Sequence, residues 1–330
     1  MQLELPVTHF HTVFTLPHEL NDLIRSNQKL CYSILFRAVS QTLKDLCAKK
    51  LNLLPGMLGV LHTWGQNLSF HPHIHCLIPN GGIDLKTNQW IEGANKNYLI
   101  RPRSLRARFK KYFLQLLTEA YEDDLLEYHG KAQQYEHVEN LRELFITIGQ
   151  KKWVVWNQAP AKGIQQIHEY LARYVHRVAM ADSRISDVSN NEVSFSYKDY
   201  RKEDGHGKPM VEKMKLPVME FMRRFLQHVL PAGFMKIRYY GILSFAWRKK
   251  LNTLQQQLNV IIPTPRTTTA IVEKIIGHSL DECPACLHKK LVTFILLPSK
   301  GWFEKNCQGV QLKNRAPPIM SPNKSEVFGF

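Results

Sequence analysis

The sequence predicts an α+β fold in which antiparallel strands carry packed helices. Three observations point to it. Short β-branched and aromatic runs alternate with longer runs of helical apolar spacing. The runs at 57–64 and 71–78 are joined by a loop too short for a crossover, so they are antiparallel neighbours. The Asn-rich turn Ser189-Asn190-Asn191 lies between two alternating segments, which is a hairpin signal.

The elements follow in order. Phe10 to Leu16 is a β-branched and aromatic strand that Pro17 ends. Residues 18–49 space Leu20, Leu23, Ile24, Leu35, Val39 and Leu43 for one long helix or two shorter ones packed on the sheet. Pro55-Gly56 reads as a turn, and Met57 to Trp64 as the second strand. After Gly65-Gln66-Asn67 comes His71-Pro72-His73-Ile74-His75-Cys76-Leu77-Ile78. Strand side chains alternate between faces, so His73, His75 and Leu77 share one side and Ile74, Cys76 and Ile78 the other.

A hairpin spans Gly82-Ile83-Asp84 to Gln89-Trp90-Ile91. A helix then starts in the cation-dense run Arg101 to Lys111 and continues to about Tyr128. That run reads equally as a solvated helix face or as a surface that tracks phosphates. Residues 131–148 form a shorter helical segment, Lys152 to Trp156 a strand, and Pro160 to Gly163 its exit loop.

Residues 164–178 form the next predicted helix, with Ile164, Ile167, Leu171, Val175 and Val178 as its buried stripe. Tyr170 and Tyr174 are four apart on one flank of it, stacked one turn above the other, with Arg173 and Arg177 toward the same side. The hairpin 184–197 follows, then a polar loop over 200–208. A helix from Pro217 to about Val229 exposes Arg223, Arg224 and His228, and Met235 to Gly241 is a last strand. Texture changes near residue 246, which divides the chain into 1–245 and a basic extension, 246–330, mostly helical with a partly disordered tail.

Composition bounds the function. The chain has 330 residues, 44% apolar and 22% charged, which suits a folded domain. Its formal net charge of +16 points to a polyanionic partner, nucleic acid before membrane. No signal peptide opens it, and no run approaches the roughly 20 apolar residues that span a bilayer. Six scattered cysteines make no disulfide framework, so a reducing cytoplasm is expected. Cys283-x2-Cys286 is half of a zinc site, but the irregular spacing to His288 and Cys307 argues against a bound zinc.

Two imidazoles at i and i+2 on a strand can share a divalent cation, which acts as a Lewis acid on a phosphoryl oxygen. His73 and His75 are that pair, and Gln66, His62 and His11 are open as a third ligand. A tyrosine hydroxyl titrates near 10 and needs help to attack phosphorus; a metal-bound phosphate and nearby arginines supply part of it.

Together these motifs resemble a family. His73-Ile74-His75, preceded by Leu61-His62-Thr63-Trp64-Gly65-Gln66-Asn67, resembles the histidine–hydrophobic–histidine (HUH) motif of two-tyrosine rolling-circle transposases of the "ninety-one" insertion-sequence family. Tyr170 to Val178 resembles their paired-tyrosine helix. Phe14-Thr15-Leu16-Pro17 resembles the first motif of rolling-circle initiators, and Phe221 to Gly241 resembles the family's later block. The likeness covers about residues 5–245, and Cys283-x2-Cys286 fits the family's tail.

The resemblance implies a central antiparallel sheet flanked by helices, Mg²⁺ or Mn²⁺ at His73 and His75, and Tyr170 and Tyr174 as nucleophiles. It implies single-stranded transposon ends and target DNA as partners, a 5′-phosphotyrosine intermediate, and action on the bacterial nucleoid. DNA contacts are expected from Arg173, Arg177, Arg223 and Arg224. Protein partners are left open. Family members usually carry a Cys-rich zinc-binding domain before this region, whereas this chain begins almost at the first strand. A truncated DNA-binding remnant, which that difference favours, and an initiator that nicks once with one tyrosine, which the paired tyrosines disfavour, are the competing expectations.

Overall fold

A computed structural model of the chain describes residues 5, 7–161, 179–203, 207–247, 250, 251 and 254, all within one compact unit, Met1–Ile262. The predicted tyrosine helix and the Cys283–Cys286 pair lie outside the described residues.

Among the described residues, strands β1 (His9–Thr15), β2 (Leu53–Trp64), β3 (Phe70–Pro79), β4 (Gly81–Asp84), β5 (Trp90–Glu92) and β6 (Val154–Ala161) form one antiparallel sheet in the order β5-β4-β2-β3-β1-β6. Strands β7 (Ile185–Ser189), β8 (Glu192–Glu203) and β9 (Pro209–Pro217) make a separate three-stranded sheet. Strand β10 (Ile237–Gly241) returns to the large sheet and pairs with the middle of β2, Gly56 to Val60.

The helices are α1 (Asn21–Ser26), α2 (Gln28–Leu51), α3 (Pro102–Glu122), α4 (Val138–Gln150) and α5 (Val218–Leu226). The alternation along β1 and β3 decides where α2 and α3 pack. Phe10 and Phe14 of β1 and Ile74, Cys76 and Ile78 of β3 point to one side and join the main core. Phe109 of α3 meets the Phe14 ring edge-on, with centroids 5.1 Å apart. Phe36 of α2 lies against Gly59, where a β-carbon would come within 3.2 Å of its ring. The histidine side of the same strands therefore faces away from α2 and α3.

Several boundaries differ from the sequence expectations. Pro55-Gly56 is not a turn but part of β2, at the point where the strand exchanges β4 for β3 and β10 as neighbours. Likewise β6 runs through Pro160 to Ala161, although that stretch reads as an exit loop. Among the described residues it pairs only with β1, at the sheet edge, where a missing N–H costs little. Helix α3 stops at Glu122 rather than near Tyr128, and Asp124 just beyond it is left-handed at φ 54°. Strand β8 continues into the predicted polar loop, and β9 is a strand where the sequence pattern predicts none.

Candidate metal centre

Three neighbouring strands bring the site together. In the β2–β3 ladder His62 stands opposite His73 and Val60 opposite His75; in the β1–β3 ladder Val13 stands opposite His75. Residues directly opposed in an antiparallel pair share a face. His62, His73 and His75 thus project from the side turned away from α2 and α3. One ring nitrogen from each of the three lies within 4.8 Å of the others. Of the three open third ligands, the register selects His62.

Hydrogen bonds fix the rings. His73 Nδ1 donates to the His71 carbonyl at 2.6 Å, which leaves the Nε2 lone pair free. His73 Nε2 and His75 Nε2 face each other at 3.0 Å. At that separation both nitrogens could turn to one cation. The donor set would suit a divalent cation that accepts imidazole ligands. His75 Nδ1 meets His11 Nε2 at 2.8 Å, and the two rings stack with centroids 5.1 Å apart. His11 therefore lies behind a ligand, where it can hold the ring's orientation and tautomer.

The electrostatics favour the ligand form. Burial, then the neighbouring imidazoles of His62, His71 and His11, hold His73 well below the usual histidine range. It is neutral at pH 7, the state in which imidazole binds a cation.

Aromatic rings flank the centre. Trp64 stacks on His62 with centroids 4.6 Å apart, and Trp156 of β6 presents its edge to His11 at 5.9 Å. Trp156 is half-exposed. Neither ring stands out in the sequence as a site residue. Strand parity, which puts Trp156 opposite Val13 and so on the histidine face, is the signal that locates it.

The remaining predicted residues are distributed as follows. Tyr170, Tyr174, Arg173 and Arg177 lie outside the described residues. Arg223 and Arg224 both lie on α5 and both grip Glu220, Arg223 through two nitrogens at 2.6 and 2.8 Å and Arg224 at 2.7 Å. His228 is not exposed, as the helix pattern suggests, but buried. Its Nδ1 lies 3.2 Å from Thr63 Oγ1 and its Nε2 lies 3.2 Å from the Leu68 carbonyl. It ties the segment after α5 to the loop that joins two ligand-bearing strands. Gln66 lies in that loop, and its carbonyl accepts a bond from Arg184. Among the described residues no helix is long and apolar enough to cross a membrane.

Comparison with known proteins bears on this geometry. The family model Y2_Tnp, described as "Putative transposase", matches residues 56–251. The chain is 36% identical over 298 residues to "Putative transposase y4qJ" of Sinorhizobium fredii (strain NBRC 101917 / NGR234), which covers 88% of this chain and 73% of that protein. It is 28% identical over 238 residues to "Transposase for insertion sequence element IS801" of Pseudomonas savastanoi pv. phaseolicola, across 71% of this chain and 54% of that protein. The chain thus spans about half the length of this second relative. No solved structure matches it.

Proposed function

Because this chain belongs to the Y2_Tnp transposases of the "ninety-one" insertion-sequence family, we propose that it cleaves and rejoins single-stranded DNA at transposon ends. The observation that carries the reading is the convergence of three imidazoles, one held neutral by burial, on one face of the sheet in a basic chain. His62, His73 and His75 hold the cation, Mg²⁺ or Mn²⁺. Bound there, it supplies Lewis-acid polarisation of a phosphoryl oxygen.

The chain's own groups do the rest. A phenol oxygen of Tyr170 or Tyr174 attacks the scissile phosphorus. The Oη–P bond forms, the bond from phosphorus to the 3′-oxygen breaks, and that oxygen leaves with the proton the phenol gave up. The phosphodiester energy stays in a 5′-phosphotyrosine, so a later 3′-hydroxyl can reverse the step without a nucleotide cofactor. Two tyrosines allow two attachments at once. Arg173 and Arg177, three residues beyond each tyrosine, offset charge on the phosphate. Arg223 and Arg224 contribute to the DNA contacts, and the work is done on nucleoid DNA in the bacterial cytoplasm.

The test is cleavage of a labelled single-stranded end oligonucleotide with Mn²⁺ and with EDTA. Wild type should cut only with metal, and His62→Ala should lose most of that activity while keeping its DNA affinity. Cutting that is indifferent to EDTA, or intact in a His73→Ala, His75→Ala double variant, would sink the metal assignment. Absence of cutting with metal bound would make the chain a DNA-binding remnant.

A further inference from the structure

Helix α3 carries charge that its own folding does not explain. Arg101, Arg103 and Arg106 lie at its N-terminal end, and its first turn has no acidic residue. Cations there oppose the helix dipole, whose N-terminal end is positive. Its buried stripe, Leu105, Phe109, Phe113 and Leu117, needs none of them.

The fold adds more cations to the same helix from distant segments. Lys50, at the end of α2, donates to Ser104 Oγ at 2.8 Å. With Arg108 and Lys111 it lines a groove on one flank of α3. On the other flank Arg103, Arg106 and Lys110 line a second groove with Lys151 and Lys152 from the α4–β6 connection. Lys110 secures that connection by donating to the Gly149 and Lys151 carbonyls at 2.5 and 3.3 Å. Some of the charge is answered, by Asp45 at Arg108 and Glu19 at Lys151. The side chains of Arg101, Arg103, Arg106, Lys111 and Lys152 have no hydrogen-bond or ion-pair partner among the described residues. One of the unpartnered atoms, Arg106 Nε, is fully shielded from solvent.

We propose that this two-flanked basic surface on α3 binds the phosphate backbone of duplex DNA, on the side of the sheet opposite the histidine centre. The choice of duplex rests on what the surface lacks. Binders of single strands combine cations with aromatic rings on which bases stack. The single aromatic residue lining the two grooves, Trp153, is 3% exposed and holds the Ile148 carbonyl. Cations spread over both flanks of a helix, with no exposed ring lining either groove and the Tyr112 ring beside Arg108 partly buried against the core, suit the dense charge of a duplex read through its phosphates. The half-exposed indole, Trp156, is on the histidine side instead. One face would then hold the strand that is cut and the other a neighbouring duplex. The proposal stands on charge and placement alone and does not require the metal centre.

The experiment measures full-length protein on a 30-base-pair duplex by fluorescence anisotropy across a salt series. One variant combines Arg103→Gln, Arg106→Gln, Lys111→Gln and Lys152→Gln. A second removes the same charge elsewhere, through Lys86→Gln, Lys96→Gln, Lys198→Gln and Lys213→Gln, all exposed and off α3. The first should lose roughly tenfold or more in affinity near 0.1 M salt. Its plot of log K against log salt should flatten by about 0.9 for each phosphate contact removed. The second should change about twofold or less, since screening confines charge effects to about 10 Å. Equal losses in both variants would reduce the effect to net charge and overturn the proposal. So would wild-type binding by the first variant, or a loss confined to single-stranded oligonucleotides or to anionic vesicles. Matching urea midpoints for the three proteins exclude unfolding as the cause.

Discussion

His75 stands between two partners, His73 at 3.0 Å through one ring nitrogen and His11 at 2.8 Å through the other. If His73 and His75 turn Nε2 to a cation, His75 carries its proton on Nδ1 and donates it to His11. Replacing His11 by Ala should weaken Mn²⁺ binding about 10- to 100-fold, the usual cost of losing a group that supports a metal ligand. His11→Gln, which keeps an acceptor, should recover part of that. Titration calorimetry of Mn²⁺ into each variant checks it, and equal affinities would remove His11 from the site. A second residue-scale expectation concerns pH. Burial holds His9 and His228 at about 4, below the 6.5 of an ordinary histidine. Between those values the unfolded chain binds more protons than the folded one, so stability is full above about pH 6.5 and is lost as pH falls toward 4. The slope is at most about 1.4 kcal/mol per pH unit for each histidine. Urea midpoints from pH 7 to 4 should fall accordingly, and less steeply in His228→Gln. The third ligand was not legible in the residues for a geometric reason. Counting back from the loop, Trp64 pairs with Phe70, which would set His62 opposite Pro72 and on the core side. A bulge between His62 and Trp64 shifts the ladder by one residue and moves His62 to the histidine side. One sequence does not announce such a bulge.

At the level of elements, the strands with one apolar face were legible. The alternation of β3, with Ile74, Cys76 and Ile78 in the core, follows the sequence pattern. So does the apolar spacing of α2. Proline misled at Pro55 and Pro160, because both occupy positions where a strand changes neighbours or runs along an edge. Strand β9 was missed because its sheet covers a small core. Only Leu216 of that strand is buried, and Glu212, Lys213 and Lys215 interrupt the apolar pattern. Helix α5 was legible as a helix, but the state of its arginines was not. Each spends its guanidinium on Glu220, a pairing at i+3 and i+4. If these arginines serve DNA, they must first leave that carboxylate. Glu220→Gln should therefore raise affinity for a single-stranded oligonucleotide by a few-fold, in keeping with surface pairs worth about 0–1 kcal/mol. Unchanged affinity would indicate that α5 does not touch the strand.

On the scale of the whole molecule, the sheet separates two chemistries. Its histidine side has a candidate cation site bordered by Trp64 and Trp156. Its other side has the main core, covered by helices whose outer surface bears the α3 cations. Net charge was legible from composition, but its gathering around α3 was not. Lys50 and Lys152 are about fifty residues from Arg103 on either side in sequence, and only the packing of α2, α3 and β6 brings them together. The central claim is that the histidine face serves covalent strand transfer by Tyr170 or Tyr174. Its most direct test is a transposon-end oligonucleotide labelled on the 3′ side of the cut and incubated with the protein and Mn²⁺. Label should migrate with the protein through denaturing electrophoresis, and peptide mapping should find it on Tyr170 or Tyr174. The Tyr170→Phe, Tyr174→Phe double variant should carry none while still binding the metal. Label retained by that variant, or absent from wild type with metal bound, would contradict the account.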